Sequence, residues 1–489
     1  MKKTKHWGNR IALFMMMVMP IIFTACSEND APEVSSASVK VSVKIDKAFE
    51  KAKAQKVAIT LRNTSTGKET AYETTVNGTV QLPNLPVDMY DITASYTLPA
   101  SEYNEITGEK STEDVLFSAA ATGVQLQPNK ETTINLVLTT STTDDFVLKT
   151  IYYAGSDSKK AAGEDDRFIE IYNNSSRTLY ADSLCFALTT MNRYGFLADG
   201  KPHPYKDKNI YTTPSGAFDW SKSEGMADTE GANSKYVYGD VVIMVPGSGK
   251  DYPIKPGESF IIAPFAQNYK QPFTTSSGKQ VTPEWPDSTL DLSKAEFDVV
   301  YPGYEVLDNK SAANMVIIKK GSNKYMRLSR NGKEGYVIFR HPSPSKLPEY
   351  RRPFIDPKKG SHFTYMQIPN TSIIDAVEVI NPNADGYVSP KAFQKSLDAS
   401  YAFSKPDNSF RCITRKVSRV NDGRRILQDL NNSALDFVQM IPNPKALPHT
   451  SPPPINPPPP PLFLLRGGGG ELPITKFPNQ QHARTFIRI

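Results

Sequence analysis

The chain of 489 residues has little of what catalysis and metal binding use: three cysteines and six histidines. His203, His341, His362 and His449 lie far apart, and none stands at ligand spacing from another His or Cys. No G-x-S-x-G, H-E-x-x-H or phosphate-cradling glycine loop is present. Spacing therefore offers no nucleophile–base pair, and no catalytic residue, cofactor or metal ligand is assigned. The formal net charge is only +6, with Lys and Arg dispersed among acids, so no nucleic-acid footprint stands out. Long apolar runs are also scarce. The one at Ile11–Ala25 is uncharged, too short to span a bilayer comfortably and interrupted by Pro20.

That run follows Lys2, Lys3, Lys5 and Arg10 and ends Phe23-Thr24-Ala25-Cys26. A basic start, a short apolar stretch and a small residue before a cysteine make residues 1–25 a signal peptide. The junction resembles a lipobox, with Phe23 in place of the usual Leu. The resemblance implies that Cys26 becomes the acylated N-terminus. Chains such as palmitate contribute ~0.8 kcal/mol per buried CH₂ and would hold the protein on a membrane. Residues 26–37 form an acidic tether (Glu28, Asp30, Glu33). It resembles the surface-export signal of Bacteroidetes lipoproteins, which implies an outer-membrane protein facing outward.

Residues 38–140 read as a first β-sandwich. Val39, Val41, Val43 and Ile45 alternate with polar residues, as do Val57, Ile59 and Leu61. Asn63–Gly67 is a turn, and Asn77-Gly78 predicts a hairpin. Val80–Thr93 and a closing strand at Thr132–Leu138 resemble the prealbumin-like or carboxypeptidase-regulatory-like fold, which implies a spacer.

Residues 146–440 read as a second, larger sandwich organised around 168–176, F-I-E-I-Y-N-N-S-S. Period-two alternation ends there in turn formers. Phe146–Tyr153 precedes it as a strand. Leu179–Phe186, the Pro256-Gly257 turn before Ser259–Ala263, and Ile373–Val377 follow it. A hairpin is predicted from Met326–Leu328 through Asn331-Gly332 to Tyr336–Phe339. With Thr414-Arg415-Lys416 these pieces resemble, in order, the lamin-tail domain, an immunoglobulin-like sandwich. The fold class expected is all-β, two β-sandwich domains. The polar stretch Ala154–Arg167, with Glu164, Asp165 and Asp166, reads as an exposed, solvated loop. Its acids lack the alternating spacing of a calcium loop.

Two long insertions, 189–250 and 264–310, depart from a minimal lamin-tail domain. The first carries Tyr194, Tyr205, Tyr211, Trp220, Tyr236 and Tyr238 among short polar residues, and the second carries Trp285. Aromatics on loops at the end of a sandwich serve either as a contact surface for glycans, haem-like rings or proteins, or as pins for the insertion. The contact reading is preferred, with the second insertion extending the same face. Asp182-Ser183-Leu184 and Asp287-Ser288-Thr289 resemble a Bacteroidetes O-glycosylation triplet. Ser183 falls near a strand, so Ser288 is favoured. Cys185 and Cys412 could bridge strands or stand as separate buried thiols; both readings are open. The Pro/Gly-rich stretch 441–489 cannot bury a core and reads as a flexible tail or a misread coding sequence.

The expectation is a non-enzymatic surface lipoprotein. It resembles proteins that accompany TonB-dependent receptors, implying such a receptor as partner, a nutrient or glycan as ligand and a role in uptake. The alternative is an adhesive or structural surface protein; a hydrolase is the weakest reading.

Overall fold

A computed structural model describes residues 36–446, apart from 53–55, 64–65, 67, 113, 141–144, 191–195, 198–208, 382–386, 389 and 406. Cys26, Tyr194, Tyr205 and nearly all of the Pro/Gly-rich stretch lie outside the described residues. The chain is all-β, with several antiparallel sheets and no barrel. Among the described residues no helix is long and apolar enough to cross a membrane.

The first region pairs two sheets. One holds Glu69–Thr75, Lys56–Asn63, Met89–Leu98 and Val115–Gln125 in that order; the other holds Thr79–Pro86, Ser36–Ile45 and Glu131–Leu138. Ser36–Ile45 alternates between buried and exposed along its length because only one face meets the opposite sheet. The inward set includes Val39, Val41, Val43, Val57, Ile59 and Phe117. The Asn77-Gly78 turn forms, with Asn77 at φ 61° and the Gly78 amide donating to Thr75 O at 2.8 Å. It does not make the expected hairpin. The strand before it pairs with Lys56–Asn63 and the strand after it with Ser36–Ile45, so the turn carries the chain from one sheet to the other.

The second region packs two larger sheets face to face. The front sheet runs Glu349–Arg351, Thr364–Pro369, Tyr236–Met244, Cys185–Thr190, Lys333–Phe339, Ile373–Ile380. The rear sheet runs Ala313–Asn314, Phe297–Asp298, Ser259–Ala263, Phe168–Asn173, Phe146–Tyr152, Cys412–Arg415, Phe437–Met440, with Phe168–Asn173 at its centre. Ile169, Ile171, Phe186, Ile243, Phe260 and Ile338 fill the space between them. Tyr236–Met244, inside the stretch read as insertion 189–250, is thus a central strand of the front sheet.

Both outer faces are covered as well. Residues 265–295 lay Tyr269, Phe273, Leu290 and Leu292 over Tyr152, Phe168 and Ile261 of the rear sheet. Phe393 and Leu347 cover Ala187, Val337 and Phe339 of the front sheet. Every residue of Phe168–Asn173 is consequently buried. Glu170, on the strand's polar side, pairs with Lys149 at 2.7 Å and accepts from Ser259 Oγ at 2.6 Å. Asn173 donates to Arg177 O and Ile254 O, both at 2.8 Å. Buried polar groups persist there because each finds a partner.

Two other expectations change, for the 326–339 hairpin and the 154–167 loop, and the open question of the two cysteines is answered. The 326–339 hairpin does not form, since Met326 and Leu328 are buried core residues outside any strand, while Lys333–Phe339 pairs with Cys185–Thr190 and Ile373–Ile380. Cys185 and Cys412 are both free and buried. They sit on outer faces of opposite sheets, one beside Ala187 and the other beside Tyr152, so they do not pair. The 154–167 loop is largely buried, with Asp166 fully enclosed, accepting from Thr289 Oγ1 at 2.8 Å. Burial pushes the Asp166 carboxyl up to about 7 against the pull of Thr289, Ser156 and Arg167. Glu164 is gripped by Arg167, Arg327 and Arg330.

A candidate binding cleft on the front sheet

At one edge of the front sheet, on the face opposite Val237 and Ile368, lies a second, smaller cluster. Trp220 and Phe218 fold over Tyr238 and Tyr365, which project from the sheet's own strands. The Trp220 indole stacks on Tyr238 at 3.7 Å between ring centres, tilted by 10°. Phe218 and Tyr365 meet Trp220 edge-on, each at 5.7 Å. Such pairs add ~0.5–1.5 kcal/mol beyond their buried area. Burial raises the Tyr238 hydroxyl well above its ordinary range. That hydroxyl donates to Ala232 O at 2.9 Å and accepts from Gln367 Nε2 at 3.2 Å. Trp220 and Tyr238 therefore pin the chain to the sheet and show only their margins.

Beside this cluster lies a cleft of about 240 Å³, and the segment 390–394 forms its opposite wall. Trp220, Tyr236 and Tyr238 of the sequence candidates all border it, with Phe218 and Phe393. Its polar groups are held in place. Asn233 accepts from the Trp220 amide at 2.8 Å and donates to Asp219 at 2.7 Å. Gln394 donates to Asn233 O at 3.0 Å and accepts from Asn370 Nδ2 at 3.0 Å. Tyr236 donates to Asp228 at 3.1 Å; burial and that carboxylate raise its hydroxyl above the ordinary range. Lys391 pairs with the buried Glu378 and donates to Ser400 O.

One lining group is left over. Thr189 is 2% exposed, and its Oγ1 has no hydrogen-bond partner among the described residues. A buried hydroxyl without a partner costs ~1–3 kcal/mol, and this one is closed off from the cleft by its own burial. Gly335, opposite it on the neighbouring strand, has to be glycine. A Cβ there would stand 2.3 Å from Thr189 Oγ1 and 2.2 Å from the Phe393 ring.

The remaining sequence candidates fall elsewhere. Tyr211 is on the surface beyond the cleft rim. Trp285 is half-buried on the opposite side of the sandwich, with Lys160 Nζ 4.5 Å above its ring. The two insertions thus pack on different sheets and do not extend a single face. Ser183 occupies an exposed turn at φ 57°, whereas Ser288 is half-buried in the one-turn helix Pro286–Ser288. Exposure therefore favours Ser183, the reverse of the sequence preference. Thr189, Asn233 and Gln394 carried no motif. They come from stretches up to 205 positions apart and meet only where two loops close against the sheet. Among the described residues no group of three His, Cys, Asp or Glu is placed to hold a metal ion.

A family described as a protein of unknown function (DUF4876) matches residues 255–443. No curated protein matches the chain. A solved DUF4876 family protein from Bacteroides thetaiotaomicron is similar at 24% identity, over 84% of this chain and 98% of that one, with a TM-score of 0.48. A protein provisionally named an adhesin from Bacteroides ovatus aligns at 8% identity, over 74% of this chain and 92% of that one, with a TM-score of 0.15. One provisionally named a cell adhesion protein from Parabacteroides distasonis aligns at 11% identity, over 50% and 88%, with a TM-score of 0.14.

Proposed function

We propose that this protein is a non-catalytic adhesive protein of the cell surface, anchored through Cys26, which holds one sugar residue of a glycan in the front-sheet cleft. The observation that carries the reading is the cleft itself. An aromatic wall beside fixed amide and hydroxyl groups suits a ring with apolar faces and a hydroxylated edge. Its described lining contains no carboxylate, imidazole or thiol, so its chemistry is recognition. At about 240 Å³ it falls below the size of pockets that enclose drug-sized ligands. A one-residue contact binds weakly, and many anchored copies on one cell turn weak contacts into firm attachment. Adhesion therefore fits the cleft better than capture of a free nutrient, and a receptor partner is not needed for it.

The full-length protein in mild detergent, displayed on a glycan array, tests this. Tyr236→Ala should lose most of the signal with its melting temperature nearly unchanged, because Tyr236 is only half-buried. Trp220→Ala serves as the contrast, since it removes a core ring and should lower the melting temperature. No glycan binding, or binding indifferent to Tyr236→Ala, would contradict the reading. Co-purification of a stoichiometric β-barrel receptor would move it to uptake.

A further inference from the structure

Next to the cleft is a surface that the reading above does not use. Ile210 bridges Phe354, the Tyr211 amide donates to Pro353 O at 2.8 Å, and the Ile355 amide donates to Asn209 O at 2.8 Å. This two-stranded strip turns Ile210 and Phe354 inward. By the period of two it turns Tyr211 and Ile355 outward. They are 41% and 50% exposed, and Phe363, next to the strip, is 52% exposed.

Cations lie in the loop that follows Ile355. Lys358 and Lys359 are exposed, and Arg351 ties the loop together by donating to Pro357 O at 2.9 Å and Ser361 O at 3.1 Å. Asp356 pairs with Lys359 at 3.3 Å and Glu224 with Arg351 at 3.3 Å. Among the described residues Lys358 makes no ion pair, so the strip keeps an excess of positive charge. It is continuous with the cleft. Thr212 bridges Phe218, the Asp219 amide donates to Tyr211 O at 3.1 Å, and Arg352 lies 5.3 Å over the Phe218 ring, which itself borders the cleft.

We infer that the strip carrying Tyr211, Ile355, Phe363, Lys358 and Lys359 extends the cleft into a surface for an anionic polysaccharide, one bearing carboxylates or sulfates along its chain. The inference rests on the cleft reading and names the class of glycan. One residue sits in the cleft. Those beyond it lay their apolar faces on the exposed rings and their anionic groups on the two lysines. Exposed aromatics alone would suit many partners; the cations beside them select an anionic one.

The experiment measures binding of the full-length protein in mild detergent to polygalacturonate, chondroitin sulfate and neutral dextran. It compares the parent with K358E/K359E, Tyr211→Ala and Tyr236→Ala. The expected result is preference for the acidic polymers, weakened by added salt. K358E/K359E should lose roughly tenfold or more in affinity for them, as like charges now face each other. Its melting temperature should be unchanged. Tyr211→Ala should lose less. Equal binding of dextran, or no effect of K358E/K359E while Tyr236→Ala abolishes binding, would overturn the inference and leave the cleft reading standing. Loss in K358E/K359E with no effect of Tyr236→Ala would overturn both. Binding to phosphatidylglycerol vesicles without binding to either acidic polymer would overturn the inference in favour of a membrane.

Discussion

The two regions solve the same problem with different economies of burial. In residues 37–138 each sheet has one wet face, and nearly all buried side chains are apolar. In residues 146–446 the sheets are covered on both sides, and the interior holds Lys149, Asp166, Arg167, Glu170, Asp375 and Arg415. A sheet sandwiched between insertions has no solvent face on which to put its charges, so they must be paired inside. The first region should therefore tolerate charge removal, and the second should not.

The sharpest break of that comparison is Arg415→Ala. Arg415 donates to Asp375 at 2.6 Å, lies within ion-pair distance of Asp429 and Asp436 at 3.1 and 3.5 Å, and stacks over Phe437. Burial pulls its acidity one way, but the three carboxylates overcome it and hold the guanidinium charged. Removing it leaves buried carboxylates unpaired, at a cost of about 3–5 kcal/mol. Urea unfolding would show this as a fall in midpoint, and a change below 1 kcal/mol would contradict the account.

Asp298→Asn should act in the opposite direction and depend on pH. Burial, with the nearby Asp308 charge, pushes Asp298 up to about 6. Its folded form holds a proton that the unfolded chain releases near pH 4. The folded state is thus favoured by protonation at low pH, and that contribution is lost as pH rises through 6. The asparagine variant should melt higher relative to the parent at pH 8 than at pH 4.5. Equal differences at both pH values would contradict the assignment. The smallest effect belongs to the first region. Lys56 pairs with Glu73 at 2.9 Å on an edge where both side chains are mostly exposed, so Lys56→Ala should change stability by no more than about 0.5 kcal/mol. A larger loss would erase the contrast.

The same difference decided what could be read from the chain. Val39, Val41 and Val43 alternate with exposed neighbours, so pattern and structure agree. Ser259–Ala263 and Phe146–Tyr152 were also legible, as short apolar runs bounded by turns. The alternation of Phe168–Asn173 pointed to a strand but not to the burial of Glu170 and Asn173, over which other segments close. Asn77-Gly78 specified a turn but not which sheets its arms would join. The cleft was half legible. Trp220, Tyr236 and Tyr238 stood out by their chemistry. Thr189 and Gln394 did not, because what distinguishes them is a missing partner and a neighbour some 200 positions away. The burial of Trp220 and Tyr238 could not be foreseen either, since Tyr350 and Tyr365 complete their cluster from a distant stretch.

The most direct measurement is a crystal structure of the protein with the best array glycan bound. The account predicts a sugar ring against Tyr236, with a hydroxyl within hydrogen-bond distance of the Asn233 or Gln394 side-chain amide. A glycan bound away from the front sheet, with the cleft filled only by ordered water, would contradict it.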